Sequence, residues 1–172
     1  MLLQGKICRL RAVEPDDART MYEWENDPDV WRVSGTTAPC SLDALLAFIA
    51  EQQRGIYASG GLRLIIVAPQ GEAVGAVDLF DFDPVNLRAG VGVLVYGGEN
   101  RRRGYASDAL AVVEEYAREV LHLHQLWCGV GADNEASLAL FERAGYEISG
   151  RRRDWQRTSD GFVDEVVMQK VF

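Results

Sequence analysis

The amino-acid sequence predicts an α+β fold in which helices flank one mixed, mostly antiparallel sheet. Strand-like and helix-like segments follow one another in the order β-α-α-β-β-β-α-β-α-β-β, which is typical of this fold class. The last two strand-like segments flank Ser159-Asp160-Gly161, and an Asp-Gly pair in such a place favours a hairpin turn. The chain has 172 residues and no evident linker or internal repeat, so residues 1–172 are expected to form a single domain.

The N-terminal part reads as one strand and two helices separated by a loop. Residues 5–13 alternate apolar and polar side chains, which predicts a strand. Residues 14–27 have a proline and several acids at their start, which suits the first turn of a helix. Residues 28–41 contain two prolines, a glycine and several hydroxyl groups and are predicted to form a loop. Ser41 is predicted to cap a helix over 42–56, which carries an apolar stripe.

Three strands and a long helix follow. The strands are predicted over 62–69, 72–82 and 87–97, and each ends at proline or glycine turn signals. Apolar side chains then recur at helical spacing over 106–121.

The C-terminal part is predicted to contain a strand over 124–132 and a short capped helix over 133–147, for which Gly145 is a suitable C-terminal cap. Residues 149–158 and 162–172 are predicted to form the closing hairpin.

The amino-acid composition limits the kinds of molecule that the protein is expected to bind. The net charge is −8, which argues against binding along nucleic acid and favours a cationic or small-molecule partner. The cysteines are Cys8, Cys40 and Cys128, and they have neither metal-ligand spacing nor the pattern of a disulfide framework. We therefore expect a reduced, cytoplasmic protein with no bound metal. Because no segment resembles a signal peptide or a membrane span, no membrane association is expected.

The stretch ENRRRGYASDAL, residues 99–110, places three consecutive arginines and a glycine in front of the long helix. The first N–H groups of a helix have no intrahelical partner, and the helix dipole adds partial positive charge there. Gly104 would let the backbone come close to a bulky anion. The stretch therefore suits the binding of a pyrophosphate, although charged side chains on a solvated surface are the simpler alternative.

The pattern Arg101-x-x-Gly104-x-Ala106, followed later by DNEASLALFERAGYE over 133–147, resembles the GCN5-related N-acetyltransferase (GNAT) family. Within that family, the chain looks most like spermidine or diamine N-acetyltransferases, and ribosomal-protein N-terminal acetyltransferases are close relatives. The resemblance implies a GNAT-like fold, acetyl-CoA as co-substrate and a homo-oligomer.

The resemblance also implies roles for individual residues. Backbone N–H groups of the loop would hold the CoA pyrophosphate, and the preceding strand would accept the pantetheine amides. Asn134 would hydrogen-bond the pantetheine arm, although it could equally serve as a helix N-cap. The residues expected to bind the cofactor are Val93, Leu94, Val95, Arg101, Arg102, Arg103, Gly104, Tyr105, Ala106, Asn134, Ser137 and Arg143. The simpler alternative is that Arg143 is a solvent-exposed side chain with no contact to the cofactor.

The general acid of the family is missing from its usual position. Many members carry a tyrosine where this sequence has Phe141, which cannot donate a proton. Tyr146 and Tyr105 are weak substitutes. The alternative is that water or the incoming ammonium protonates the thiolate.

The general base is also absent from the cofactor strand, because AGVGVLV has no carboxylate. We take Asp78 as the first choice for a base acting through water. A carboxylate inside an apolar strand is costly unless it is paired or partly hydrated. Alternation places Asp78 on one face with Phe80 and places Asp81 on the other face with Leu79. The alternative is that these acids are simply exposed to solvent.

Acids interleaved with aromatic residues suit a cationic acceptor, because carboxylates pair with ammonium groups and rings can face cations. The candidate acceptor-binding residues are Glu23, Glu25, Trp31 and Asp81. A solvated acidic helix with inward-packed tryptophans is the alternative.

The sequence thus predicts an N-acetyltransferase that moves acetyl from acetyl-CoA to a primary amine by direct attack in a ternary complex. A polyamine such as spermidine is the favoured small-molecule acceptor. The alternatives are a ribosomal-protein N-terminal or amino-sugar acetyltransferase, or a non-catalytic acyl-CoA-binding module.

Overall fold

A computed structural model describes residues 3–172 of the chain and has an α+β architecture. The strands are β1 (Arg9–Ala12), β2 (Leu62–Val67), β3 (Ala73–Asp83), β4 (Arg88–Val95), β5 (Gln125–Gly131), β6 (Glu147–Thr158) and β7 (Gly161–Val171). The helices are α1 (Ala18–Glu25), α2 (Pro28–Ser34), α3 (Leu42–Gln52), α4 (Ile56–Ser59), α5 (Tyr105–Glu119) and α6 (Glu135–Arg143). The predicted fold class is confirmed. None of the helices described within residues 3–172 is long and apolar enough to cross a membrane.

The strands form one sheet in the order β1-β2-β3-β4-β5-β7-β6. In the described chain β4 and β5 run parallel, and the other neighbouring strands run antiparallel. The parallel pairing covers three residue pairs, from Arg88 and Gln125 to Gly90 and Trp127. Beyond that point β4 continues its pairing with β3 alone, and β5 continues with β7 alone. The two central strands therefore diverge and leave a gap between them, called the β4–β5 gap below.

The two faces of the sheet are covered differently. Helices α5 and α6 pack on one face and build the larger core, with fully buried residues such as Leu110 and Leu126. On the other face, α1 and α3 pack over the first strands, with Met21, Ile49 and Ile65 at the centre of a smaller core. In the part of the chain that the structure describes, this second face is left open over β4, β5 and β7, and we call that region the open face. The side-chain positions that form it are Phe80, Gly90, Gly92, Trp127, Gly129, Glu165 and Val167.

The predicted loop over 28–41 contains a helix, α2, so that part of the prediction is wrong. Asp27 caps this helix, because its side chain accepts a hydrogen bond from the Asp29 N–H at 2.9 Å. Pro28 occupies the first helical position, where a missing N–H costs nothing. The sequence reasoning treated this proline as a helix breaker, but at this position it favours a helix start.

A second difference concerns the helix predicted over 42–56, which ends at Gln52. Gly55 follows with a φ of 79°, a conformation that an L side chain seldom adopts, and α4 is a separate short turn. The other helices and the strands agree with the prediction to within a few residues at their ends.

The N-terminal segment is fixed to the start of α5 by Asp108. Its carboxylate accepts hydrogen bonds from the backbone N–H groups of Lys6, Ile7 and Cys8 at 2.9–3.0 Å. Burial raises the pKa of this carboxyl, but the hydrogen bonds from Ile7, Lys6 and Cys8 outweigh burial, so the pKa lies below its usual value. Gly5 contacts the same carboxylate so closely that a side chain there would displace it.

We expect Asp108→Asn to lower the free energy of unfolding by about 2 kcal/mol at pH 7, because charge-assisted hydrogen bonds to three backbone donors are weakened. The folded-state pKa is depressed, so this stabilisation is present above the unfolded-state pKa and is lost as pH falls through the folded-state value. Urea unfolding at pH 7 and at about pH 3 should show the difference between wild type and variant shrinking at the lower pH. A difference that is the same at both pH values would contradict this account.

Candidate active site

The β4–β5 gap opens toward the helix starts. The carboxyl end of β4 leads through a short loop into α5, and the carboxyl end of β5 leads into α6. Because parallel strands have their carboxyl ends on the same edge, both helix N-termini lie at the wide end of the gap. The first N–H groups of both helices are therefore directed to one place.

The loop before α5 has the backbone shape that close approach to a ligand requires. Arg102 and Gly104 have φ values of 60° and 85°, in the left-handed region. Helical bonding begins with the Asp108 N–H, which donates to the Gly104 carbonyl at 3.0 Å. The N–H groups of residues 105–107 precede that bond and form the helix's positive end. An added Cβ at Gly104 would lie 2.9 Å from the end of the exposed Ile7 side chain, which could move aside, so the φ of 85° is what disfavours a side chain there.

The three arginines of this loop are exposed. The Arg103 guanidinium lies over the Tyr105 ring, 5.4 Å from its centroid, and Tyr105 itself is buried in the larger core. Tyr105 therefore serves to anchor the helix start, and its use as a proton donor stays a prediction.

Val93, Leu94 and Val95 lie on β4 beyond its last pair with β5 and are half-buried. One edge of this segment pairs with β3, while the other edge faces the β4–β5 gap. Backbone amides along the gap can bond an extended ligand as a neighbouring strand would. This arrangement fits the pantetheine arm that the resemblance implies.

Asn134 is the N-cap of α6, since its Oδ1 accepts a hydrogen bond from the Ser137 N–H at 3.1 Å. Asn134 thus acts as a helix N-cap, which was the simpler of its two expected roles, and its contact with pantetheine stays a prediction. Ser137 lies in the first turn of α6, at the wide end of the gap. Arg143 lies in the last turn and is exposed, so its predicted contact with the cofactor is not supported by its position.

The position of the usual acid is part of the core. Phe141 is 3% exposed, and its ring meets Tyr146 edge-on with centroids 5.0 Å apart. Tyr146 is equally buried, and burial followed by the charge of Glu114 raises the pKa of its phenol. Nothing in this packing supports Tyr146 as the acid, and that role stays a prediction.

Asp78 and Glu25 converge on Arg63 of β2. Arg63 Nε and Nη2 lie 2.7 and 2.8 Å from the two Asp78 oxygens, and its Nη1 lies 2.6 Å from Glu25 Oε1. The Phe48 ring lies under the same guanidinium, 5.2 Å away. Burial lowers the pKa of Arg63, but the Asp78 and Glu25 charges outweigh it and hold the group ionised.

This network bears on two of the predicted roles. Asp78 lies opposite Gly92 on the open face, where alternation places it. However, both carboxylates are already bound to the Arg63 guanidinium, so the predicted roles of Asp78 as base and of Glu25 in acceptor binding gain no support and stay predictions. The sequence reasoning missed Arg63. The available signal was an arginine inside the apolar run LRLIIV, because a charge there needs a partner.

The other acceptor candidates are dispersed. Trp31 packs back on α1, and its Nε1 donates to the Glu25 carbonyl at 2.7 Å. Glu23 lines a pocket of about 290 Å³ beside the loop before α5. In that pocket Trp24 stacks on Tyr96 with ring centroids 4.1 Å apart. Trp31 thus contacts the Glu25 backbone while Glu23 lines a separate pocket, and their roles in acceptor binding stay predictions.

Asp81 lies in a different place from the one that alternation predicts. Its φ is 48° and the register between β3 and β4 shifts there, so the bulge interrupts the period of two. As a result Asp81 lines a groove of about 430 Å³ on the open face, and the prediction that it shares a face with Leu79 is wrong. The groove is lined by Asp81, Asp83, Arg88, Gln125, Trp127, Arg152, Val167 and Gln169.

The aromatic wall of this groove is formed by Trp127 and the neighbouring Phe80, whose rings meet edge-on at 5.4 Å. Phe80 lies directly over Gly90, which leaves no space for a side chain there. Carboxylates beside an aromatic wall are suited to a cation. The groove lies over the paired part of β4 and β5, from Arg88 and Gln125 to Trp127. The strands separate just beyond Trp127, so a cation bound at the Trp127 end would lie next to the gap.

The buried cysteines do not behave as nucleophiles. Burial raises the pKa of Cys8 and of Cys128 to about 12, and the charges of Asp108 and Glu165 act in the same direction. Both thiols are therefore protonated near neutral pH and act as small core residues. This agrees with the interpretation of the sequence.

Several known acetyltransferases are similar to this chain in fold or in sequence. Over 97% of this chain, the fold superposes on a structure of spermidine N-acetyltransferase from Vibrio cholerae in complex with CoA and spermine, with a TM-score of 0.87 and 19% identity over 96% of that chain. A dodecameric structure of spermidine N-acetyltransferase from Vibrio cholerae superposes over 97% of this chain and 95% of that one, with a TM-score of 0.79 and 18% identity. Spermidine N(1)-acetyltransferase of Escherichia coli K12 is 23% identical over 142 residues, which are 83% of this chain and 74% of that protein.

The family model of the acetyltransferase (GNAT) domain matches residues 8–147, from just before β1 to the first residue of β6. This range contains the loop before α5, the β4–β5 gap and Asn134. The fold, the family resemblance and the predicted enzyme class, an acetyl-CoA-dependent N-acetyltransferase, are confirmed. The chain belongs to the GNAT family of acetyltransferases.

Proposed function

We propose that this acetyltransferase moves acetyl from acetyl-CoA to a primary amine of a polyamine such as spermidine. The observation that carries this proposal is the groove on the open face, which combines Asp81 and the Arg88-paired Asp83 with an aromatic wall whose Trp127 end adjoins the β4–β5 gap. A polyamine has several ammonium groups, so the distal ones can pair with carboxylates while one amine reaches the gap. Proteins named as spermidine acetyltransferases among the relatives support the same acceptor class.

Acetyl-CoA would be held by the backbone more than by side chains. The N–H groups from Arg102 to Ala106 would receive the pyrophosphate at the start of α5. The free edge of β4 at Val93–Val95 would bond the pantetheine amides, with Asn134 on the opposite side of the gap. When bound there, the thioester supplies an activated acetyl group.

We propose direct transfer in a ternary complex. The amine nitrogen attacks the acetyl carbonyl carbon, and no covalent bond to the protein forms. The protonated state of Cys8 and Cys128 supports this choice, because neither thiol can accept the acetyl group near neutral pH. Since Phe141 has no proton to give, the leaving sulfur takes its proton from water or from the amine.

We also propose that the chain forms a homo-oligomer, which the dodecameric neighbour supports. The strand β6 is an edge of the sheet, and Ile148 and Trp155 on it are exposed. Exposed apolar residues on a sheet edge are suited to contact with a second copy.

We expect Gly104→Glu to abolish measurable acetyl-CoA binding, because a side chain at this φ is strained and a carboxylate repels the pyrophosphate. Arg102→Ala should weaken binding by no more than about fivefold, as is typical of an exposed ion pair. Isothermal titration of acetyl-CoA into each variant tests this ranking. Gly104→Ala is the matched control that adds strain without charge, and circular dichroism verifies folding. The reverse ranking would mean that the arginine charges matter more than the backbone.

We expect the wild type to release CoA with spermidine, spermine or putrescine at a kcat/KM at least about tenfold above that for an N-terminal peptide amine or glucosamine, since only polyamines present a second cation to the groove. A thiol-release assay over this panel measures the difference. If the polyamines are inert and another amine reacts, the acceptor assignment is wrong. Tight acetyl-CoA binding with no turnover on any amine would contradict acetyl transfer to amines.

A further inference from the structure

Glu165 on β7 is a buried carboxylate on the open face, and only 9% of it is exposed. Its position is defined by Gly129 of β5, because an added Cβ at Gly129 would lie 2.7 Å from Glu165 Cδ. The carboxylate therefore lies over the backbone of β5, in space that a side chain at position 129 would otherwise fill.

Gly129 lies where the β4–β5 gap opens. The last pair between the two strands joins Gly90 and Trp127, and Gly129 follows Trp127 by two positions on the same face. On the other strand, Gly92 follows Gly90 by two positions and occupies the same level. Both strands that border the gap thus carry glycine at this level, so neither of them places a side chain over it.

The carboxylates at this level come from the outer neighbours of the two strands. Asp78 of β3 lies opposite Gly92, and Glu165 of β7 reaches over Gly129. The gap is therefore flanked by one carboxylate on each side of the open face. Of the two, Glu165 extends over the strand that borders the gap, whereas Asp78 is turned toward Arg63 on β2.

The two carboxylates are held with different strength. Both Asp78 oxygens bind a guanidinium that is 20% exposed and is also held by Glu25 and the Phe48 ring. Glu165 Oε1 has one contact with Arg152 Nη1 at 2.6 Å, and Oε2 accepts from Gln156 Nε2 at 3.2 Å.

The Arg152 side chain is partly exposed to solvent. It is 42% exposed on the edge strand β6, and its guanidinium also lies 4.9 Å from the Trp155 ring. Arg152 from β6 contacts Glu165, and Cys128 of β5, which belongs to the core on the other face, has its pKa raised by burial and by the Glu165 charge. The Asp133 carboxylate lies beside Gly131, the residue that pairs with Glu165. Arg152 is thus a partly exposed cation that is bound to Glu165 at the edge of the acceptor groove.

We propose that Glu165 receives the reacting ammonium of the acceptor in place of Arg152 and accepts its proton. This inference rests on the proposed function and assigns to Glu165 the role that the sequence assigned to Asp78. The ammonium gives one proton to Glu165, and the neutral nitrogen forms the C–N bond to the acetyl carbonyl carbon. The C–S bond breaks, its electron pair goes to sulfur, and sulfur takes the second proton that the nitrogen loses. Glu165 then returns its proton to water.

Glu165→Gln keeps the shape of the side chain and a hydrogen-bonding oxygen but cannot accept the proton. We expect kcat with spermidine to fall by about 100-fold or more, as is typical for the loss of a general base. The Kd for acetyl-CoA should stay within twofold of wild type. Raising the pH to about 9.5 should recover part of the rate in the variant, because the amine then loses its proton to solvent.

Two further variants separate this role from general effects. Glu147→Gln makes the same chemical change at an exposed position of β6 and should leave kcat unchanged. Gly129→Ala keeps every charge but pushes the Glu165 carboxylate aside, so kcat should fall by about tenfold with acetyl-CoA binding retained. Gly129→Ala also keeps the inference testable if Glu165→Gln fails to fold.

The proposed function is tested first, by turnover of the wild type with amines. If the wild type turns over and Glu165→Gln stays within threefold of its rate and pH profile, the inference is overturned while the proposed function stands. It is also overturned if Asp78→Asn, and not Glu165→Gln, removes the acidic limb of the pH–rate profile.

Discussion

The separation of two parallel strands in the middle of the sheet is the constraint on which the rest of this structure depends. Backbone N–H and C=O groups in a sheet interior are costly when they have no partner, so strands seldom diverge there. Here β4 and β5 pair over three residues and then part, each supported by its outer neighbour. The edges that face each other across the gap are available to a ligand because β3 and β7 hold the strands in place.

The helices that follow these strands complete the same arrangement. The larger core fixes α5 and α6 against one face, with residues such as Val113 and Phe141. Their N-termini are consequently held at the wide end of the gap. The groups that this end of the gap offers to an anion are thus backbone N–H groups, which a net charge of −8 on the chain does not remove. The acidic side chains Asp78, Asp83 and Glu165 on the open face are instead each paired with an arginine.

Much of this could be predicted from the sequence because the signals are local. Apolar periodicity identified the strands and the long helices, and the loop before α5 was recognised from its arginines and Gly104. The helix α2 was missed because Pro28 was interpreted without regard to its position at the first turn. The face of Asp81 was predicted wrongly because the bulge arises from the pairing of β3 with β4. A simple alternation of side chains along β3 contains no information about that bulge. The contacts of Asp78 with Arg63 and of Glu165 with Gly129 join side chains from different strands, and no local pattern encodes them.

The hydrogen bonds between Asp108 and Lys6, Ile7 and Cys8 join parts of the chain about 100 residues apart. Contacts of such sequence separation form late, because a long segment must be ordered before they close. During synthesis, residues 6–8 therefore leave the ribosome long before Asp108 has been made. Until then the backbone N–H groups of Lys6, Ile7 and Cys8 lack this partner, so the packing of the N-terminal segment on α5 depends on closing a loop of about 100 residues.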